Sequence, residues 1–225
     1  MSATKTTEIV STLKQDISQL YDLWRATSDD FGYPVDYQGI TTKSEPLISQ
    51  LEGFRGKRVL DIGCNSGMYS YILGACAKSV IGCDVEPVLI KRANEARAFF
   101  DRMYDTKTVQ FHHGNFVDKL DNEIDGVIAS LVLYHVGDEN LLALKNFLTE
   151  RKPHVLLQAR PMRAEAFKNS PSWGILSATT MYGGMYLIED NLNFLRDCGY
   201  NSVEVTGLTE SLFFGEHFPV IVARG

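Results

Sequence analysis

The chain has 225 residues, 44% of them hydrophobic and 22% charged, with 22 Lys and Arg against 28 Asp and Glu for a net charge of −6. That length suits one large domain, and the negative balance argues against broad adhesion to nucleic acid or to an anionic membrane. Residues 1–10 are polar and no apolar run approaches the ~18 residues of a membrane span, so neither a signal peptide nor a membrane helix is expected, and the expected compartment is cytoplasmic.

Ile9, Leu13, Ile17, Leu20 and Trp24 recur at helical spacing and predict an amphipathic N-terminal helix. Gly32, Pro34 and Gly39 punctuate a loop over 29–42, and a short helix is expected over 44–54. From Lys57 the pattern alternates. Strands are predicted at 58–62, 79–83, 108–112, 124–131 and 154–158, with helices at 68–76, 87–103 and 139–148. Apolar strands alternating with helices predict a parallel sheet covered on both faces. After a long segment at 160–187, a helix is expected over 189–198, then strands at 202–206 and 218–223. About eleven residues, including Gly207 and Gly215, separate the last two strands. A helical crossover would be cramped there, so an antiparallel hairpin is expected. The predicted fold is an α/β three-layer sandwich with a seven-stranded mixed sheet, Rossmann-like, in a single domain. Its parts are an N-terminal helical lid (1–56), a cofactor-binding core (57–159), a substrate-side insertion (160–188) and a terminal helix with hairpin (189–225).

Three strand-end loops carry chemistry. The first strand runs into Gly63-Cys64-Asn65-Ser66-Gly67, where glycines let backbone pass close to a ligand. Asp84 ends the second strand, 23 positions after Asp61, where a carboxylate can accept both hydroxyls of a ribose. Gly114-Asn115-Phe116 follows the third, an amide and an aromatic suited to an adenine edge. Helix capping is the competing explanation for both Asp84 and Asn115. Tyr134 and His135 are placed at the end of the fourth strand. His135 is a candidate base, against a plain packing role. His112 and His113 point to opposite faces of a strand and cannot chelate together. Cys64, Cys76, Cys83 and Cys198 form no CxxC pair and read as buried free thiols.

The order V-L-D-I-G-C-N-S-G, I-G-C-D, H-G-N-F and I-D-G-V-I-A-S-L-V-L-Y-H-V resembles class I S-adenosylmethionine-dependent methyltransferases over residues 57–158. More narrowly, D-I-G-C-N-S-G-M-Y-S with L-V-L-Y-H-V resembles the branch containing the tRNA wobble-uridine carboxymethyltransferase. The resemblance implies S-adenosyl-L-methionine as cofactor. Asp61 would face its methionine amino group, the backbone of Gly63, Cys64, Asn65 and Gly67 would pack against it, and Asp84 would hold the ribose. Asn115 and Phe116 would border the adenine, and Tyr134 would lie near the transferred group. Val85, Ser130 and Leu131 complete the candidate cofactor-binding set. The family's usual middle glycine is Asn65 here, a residue that tolerates unusual backbone angles.

The segment 160–187 carries Arg160, Trp173 and Tyr182, and the loop at 29–42 carries Tyr37 and Gln38. These five are the candidate substrate residues, aromatics for a flat acceptor and arginine for an anionic group. Covering the sheet edge is the alternative role for Trp173 and the tyrosines. The expected reaction is methyl transfer to an oxygen or nitrogen of a small molecule. Its rivals are methyl or carboxymethyl transfer to a tRNA nucleoside, and a non-catalytic module that binds the adenosyl cofactor. A nicotinamide dehydrogenase fits less well, since Gly63-x-x-x-Gly67 lacks the G-x-G-x-x-G spacing. No metal site is expected, and the chain is expected to be a monomer or homodimer.

Overall fold

Hydrophobic alternation decides the layers. Along the central strands the side chains divide by parity between two cores, as a pleat of period two requires. Leu60, Val127, Ala129, Val155 and Leu157 enter one core; Val59, Ile128 and Leu156 enter the other. The computed structural model describes residues 46–103, 107–159, 188–210 and 217–225. The expected N-terminal helix, the loop at 29–42 and most of the segment from 160 lie outside these residues.

The described elements run β1 (Arg58–Ile62), α1 (Met68–Gly74), β2 (Ser79–Asp84), α2 (Pro87–Met103), β3 (Val109–His113), β4 (Gly126–Ser130), α3 (Asp138–Arg151), β5 (His154–Gln158), α4 (Ile188–Asp197), β6 (Ser202–Glu210) and β7 (His217–Arg224). The expected short helix at 44–54 is broken instead: one helical turn at 46–48, then a 3₁₀ turn over Leu51–Phe54.

One seven-stranded sheet has the order β3-β2-β1-β4-β5-β7-β6. The first five strands are parallel, and β7 enters antiparallel between β5 and β6. The chain works outward from β1 to β3, then returns to lay β4 on the other side of β1. With right-handed crossovers this reversal places α1 and α2 on one face and α3 on the other. It also opens a crevice at the carboxyl ends of β1 and β4, where open sheets of this kind bind ligands.

The hairpin forms as the spacing predicts, but β6 is longer than its apolar pattern. A register shift between Val205 and Gly207 absorbs one residue, and the ladder resumes through Glu210. A Cβ on Gly207 would sit 2.8 Å from Cβ of Pro46, so the small residue is required by packing. Tyr71 ties α1 to α2. It is fully buried, stacks on Phe100 at 4.1 Å between centroids, and donates its hydroxyl to Ala93 O at 2.6 Å.

Candidate functional site

The loop after β1 is built from left-handed residues. Gly63 (φ 66°), Asn65 (φ 52°) and Gly67 (φ 83°) turn the chain from strand to helix within five positions. Gly63 and Gly67 are also fixed by packing. A Cβ at 63 would lie 2.3 Å from Val132 Cγ2, and one at 67 would lie 2.5 Å from Phe111 Cζ. Asn65 takes the family's glycine position with the backbone angle a glycine would have. Its side chain offsets the cost, because Oδ1 accepts from Ser66 N at 2.7 Å and from Ser66 Oγ at 2.9 Å.

Asp84 closes this loop. Oδ2 accepts from Asn65 N at 2.9 Å, and Oδ1 accepts from Glu86 N at 3.0 Å. The capping role and a brace across to the β1 loop are therefore both present. Each carboxylate oxygen keeps acceptor capacity for a further donor, and Asp84 is only half-buried. Beside it Val85 is 67% exposed, an aliphatic surface at the rim.

Asp61 lies beneath the loop and is 2% exposed. Its Oδ2 accepts from Ser70 Oγ at 2.5 Å, and among the described residues it has no cationic partner. Desolvation, only partly offset by the Ser70 hydrogen bond, pushes its carboxyl up to about 7, and the neighbouring Asp84 charge adds to the rise. A buried acid of this kind fits a cationic ligand group. Burial likewise pushes the Cys64 thiol far up, so it stays neutral.

At the end of β3 both candidate residues have partners within the fold, and the end of β4 differs from expectation. Asn115 is a cap: Oδ1 accepts from Val117 N at 3.1 Å, and Nδ2 donates to Asn140 Oδ1 at 2.7 Å. The ring of Phe116 is 7% exposed and belongs to the core shared by Cys83 and Leu133. Tyr134 and His135 do not end β4. The strand stops at Ser130, and the pair sits in a 3₁₀ turn over Leu133–His135, their rings 4.1 Å apart. Within it Tyr134 is half-buried and His135 exposed. Leu131 makes the change of direction with φ 53°, a conformation that costs a non-glycine residue about 1–2 kcal/mol.

Buried hydroxyls and an amide support that strained end. Ser130 Oγ donates to Gln158 Oε1, Gln158 Nε2 donates to Thr209 Oγ1 at 2.6 Å, and Thr209 Oγ1 donates to Phe218 O at 3.1 Å. The chain of bonds joins β4, β5, β6 and β7. Sequence reasoning missed Ser70, Gln158 and Thr209. A signal was present for Ser70 and Gln158, each a polar residue in an apolar helix or strand, but not for Thr209, because β6 is itself rich in polar residues. The candidate substrate residues Tyr37, Gln38, Arg160, Trp173 and Tyr182 lie outside the described residues.

Residues 41–159, just over half of the chain, match the family model described as a methyltransferase domain. Over 160 residues the chain is 28% identical to tRNA U34 carboxymethyltransferase of Pseudomonas aeruginosa, covering 68% of this chain and 48% of that protein. The Pseudomonas fluorescens protein of the same name is 30% identical over 131 residues, or 56% of this chain and 41% of the relative. The chain thus spans about half the length of the curated relatives it matches. Among solved structures it is similar to magnesium protoporphyrin IX methyltransferase from Synechocystis, crystallised with bound S-adenosylhomocysteine. The TM-score is 0.63 at 20% identity, over 97% of this chain and 100% of that one. It also resembles the N-methyltransferase NodS from Bradyrhizobium japonicum, with a TM-score of 0.58 at 17% identity over 82% and 85% of the two chains.

Proposed function

This chain belongs to the methyltransferase domain family, and we propose that it transfers a methyl group to an oxygen or nitrogen of a small molecule. Its methyl donor is S-adenosyl-L-methionine. When bound, that donor supplies an electrophilic methyl carbon on a sulfonium leaving group. The chain's own contribution is then orientation and exclusion of water.

In this reading the buried Asp61 carboxylate pairs with the donor's amino group, and its proton leaves as the pair forms. Asp84 adds the ribose hydroxyls to the two backbone amides it already holds. Val85 and Asn115 border the adenine, with Phe116 supporting them from the core. The left-handed turn at Gly63, Cys64, Asn65 and Gly67 and the strand end at Ser130 and Leu131 enclose the methionine portion. His135 takes the acceptor's proton and Tyr134 orients it. Tyr37, Gln38, Arg160, Trp173 and Tyr182 are proposed to contact the acceptor.

One observation carries the choice of acceptor class. The exposed or half-exposed residues at the end of β2 and the start of α3 include Asp84, Glu86, Asp138 and Glu139. A carboxylate rim repels a polyanion and suits a neutral or cationic small molecule. A second reading, methyl or carboxymethyl transfer to a tRNA nucleoside, is favoured by the names of the curated relatives.

The test is calorimetric titration with S-adenosylhomocysteine and NADH, followed by product release assays on small phenols and amines and on tRNA. Binding of S-adenosylhomocysteine, with turnover on a small molecule little affected by salt, supports the proposal. NADH binding alone would end it. Turnover on tRNA alone, falling steeply with salt, would replace it with the second reading.

A further inference from the structure

A second polar cavity lies at the other end of the sheet from the cofactor loop. Lys57 precedes β1, whereas Gly63 follows it, so the two regions are separated by the length of that strand. The cavity measures about 460 Å³ and is lined by Lys57, Lys152, His154, Arg224, Gly53 and Gly225, with Ser49 and Gln50 at its edge. Its volume lies in the range of small-molecule sites. Among the described residues no acidic side chain lines it. Lys57, Lys152 and Arg224 place three cationic side chains on it.

These cations are weakly compensated. Among the described residues, Lys57 and Lys152 have no ion-pair partner. The Lys152 ammonium lies 5.4 Å from the ring centroid of Tyr200. Arg224 Nη1 is 3.9 Å from Glu204, and both side chains are more than half exposed, so that pair is loose. Lys152 adopts φ 49° as the C-cap of α3, a left-handed position where glycine is the usual residue. His154 Nε2 is buried with no hydrogen-bond partner. Its ring packs edge-on against Phe54, and a Cβ on Gly53 would come within 2.7 Å of that nitrogen. Burial, Arg224 and Lys57 together lower His154 to about 4, so near neutral pH the positive charge comes from the lysines and arginine.

We propose that this cavity is a binding site for a small phosphate monoester, whose dianion matches the two lysine ammonium groups left without an ion-pair partner among the described residues. Phosphate oxygens accept from ammonium and guanidinium groups without needing donors in return. The site is independent of the acceptor identity, since no residue of the cofactor loop lines it.

The experiment is calorimetric titration of the full chain with ribose 5-phosphate, with ribose as the uncharged control. S-adenosylhomocysteine is held at saturation to block the adenosyl site. Ribose 5-phosphate should bind and ribose should not. Lys57→Gln combined with Lys152→Gln should weaken binding about 100-fold, roughly tenfold per lysine. Lys91→Gln, on the exposed face of α2, should leave it unchanged. S-adenosylhomocysteine titration of each variant establishes that it is folded. No ribose 5-phosphate binding up to about 10 mM, or equal binding in the double variant, would overturn the proposal. So would binding of a single-stranded RNA oligonucleotide through these lysines while ribose 5-phosphate is ignored.

Discussion

Asp61→Asn separates the electrostatic role of this residue from its packing role. Asparagine keeps the size of the side chain and an oxygen acceptor for Ser70 Oγ, which bonds Asp61 at 2.5 Å. It removes the ionisation and exchanges the second oxygen for an amide NH2. In the folded, ligand-free protein the Asp61 carboxyl is raised to about 7, well above its unfolded value of about 3.9. A raised folded pKa means that the native state holds this proton more tightly than the unfolded chain does. The associated stability is fully present below about pH 4 and is lost as pH rises through about 7. The rise from about 3.9 to about 7 corresponds to a ceiling of about 4 kcal/mol. For a chain of this length that ceiling is a Tm change of about 8–16 °C, at about 2–4 °C per kcal/mol. The assay is Tm between pH 5 and pH 8 for wild type and Asp61→Asn, without ligand. The wild type should lose several degrees relative to the variant across that window. S-adenosylhomocysteine should reverse the loss, because its ammonium favours the ionised carboxylate. Its affinity for the wild type should therefore fall as pH drops through about 7, and that dependence should vanish in the variant. Parallel Tm curves for the two proteins would refute the reasoning.

Substitutions at three further positions follow from the site. Asn65→Ala should destabilise the protein by about 1–2 kcal/mol for the left-handed backbone, whereas Asn65→Gly should stay within about 1 kcal/mol of wild type; equal Tm losses would show that φ 52° is not what selects the residue. Asp84→Ala should weaken S-adenosylhomocysteine by about 1.5–3 kcal/mol in calorimetry. A lowered Tm with unchanged affinity would reduce Asp84 to its bonds with Asn65 and Glu86. His135→Gln should remove the acidic limb of the pH–rate profile and lower kcat by about 10²–10⁴-fold; a superimposable profile would exclude it as the base.

The local code of this chain was enough for its framework. Bounds read from the residues for β1, α2 and β5 are those of the structure, because each apolar run is closed by a charged residue, a proline or a change of period. Spacing alone predicted the terminal hairpin, since no crossover helix fits between the last two strands. It did not predict the length of β6, because a bulge lets pairing continue past the residue where alternation fails. At the site the sequence offered candidate residues and a capping role for Asp84 and Asn115, but not the partners brought from other segments. That Asp84 would also reach the Asn65 amide, that Asn115 would donate to Asn140, and that Phe116 would sink into the core all depend on which segments meet. The same holds for Asp61, whose raised carboxyl comes from burial beneath a loop and a helix rather than from its sequence neighbours. It holds most for Lys57, Lys152 and Arg224, which nothing in the linear order associates. Propensity and periodicity act over a few residues and settle elements locally. Desolvation, hydrogen-bond partners and clustered charge act through space, so they are decided only when the sheet has brought distant strands together.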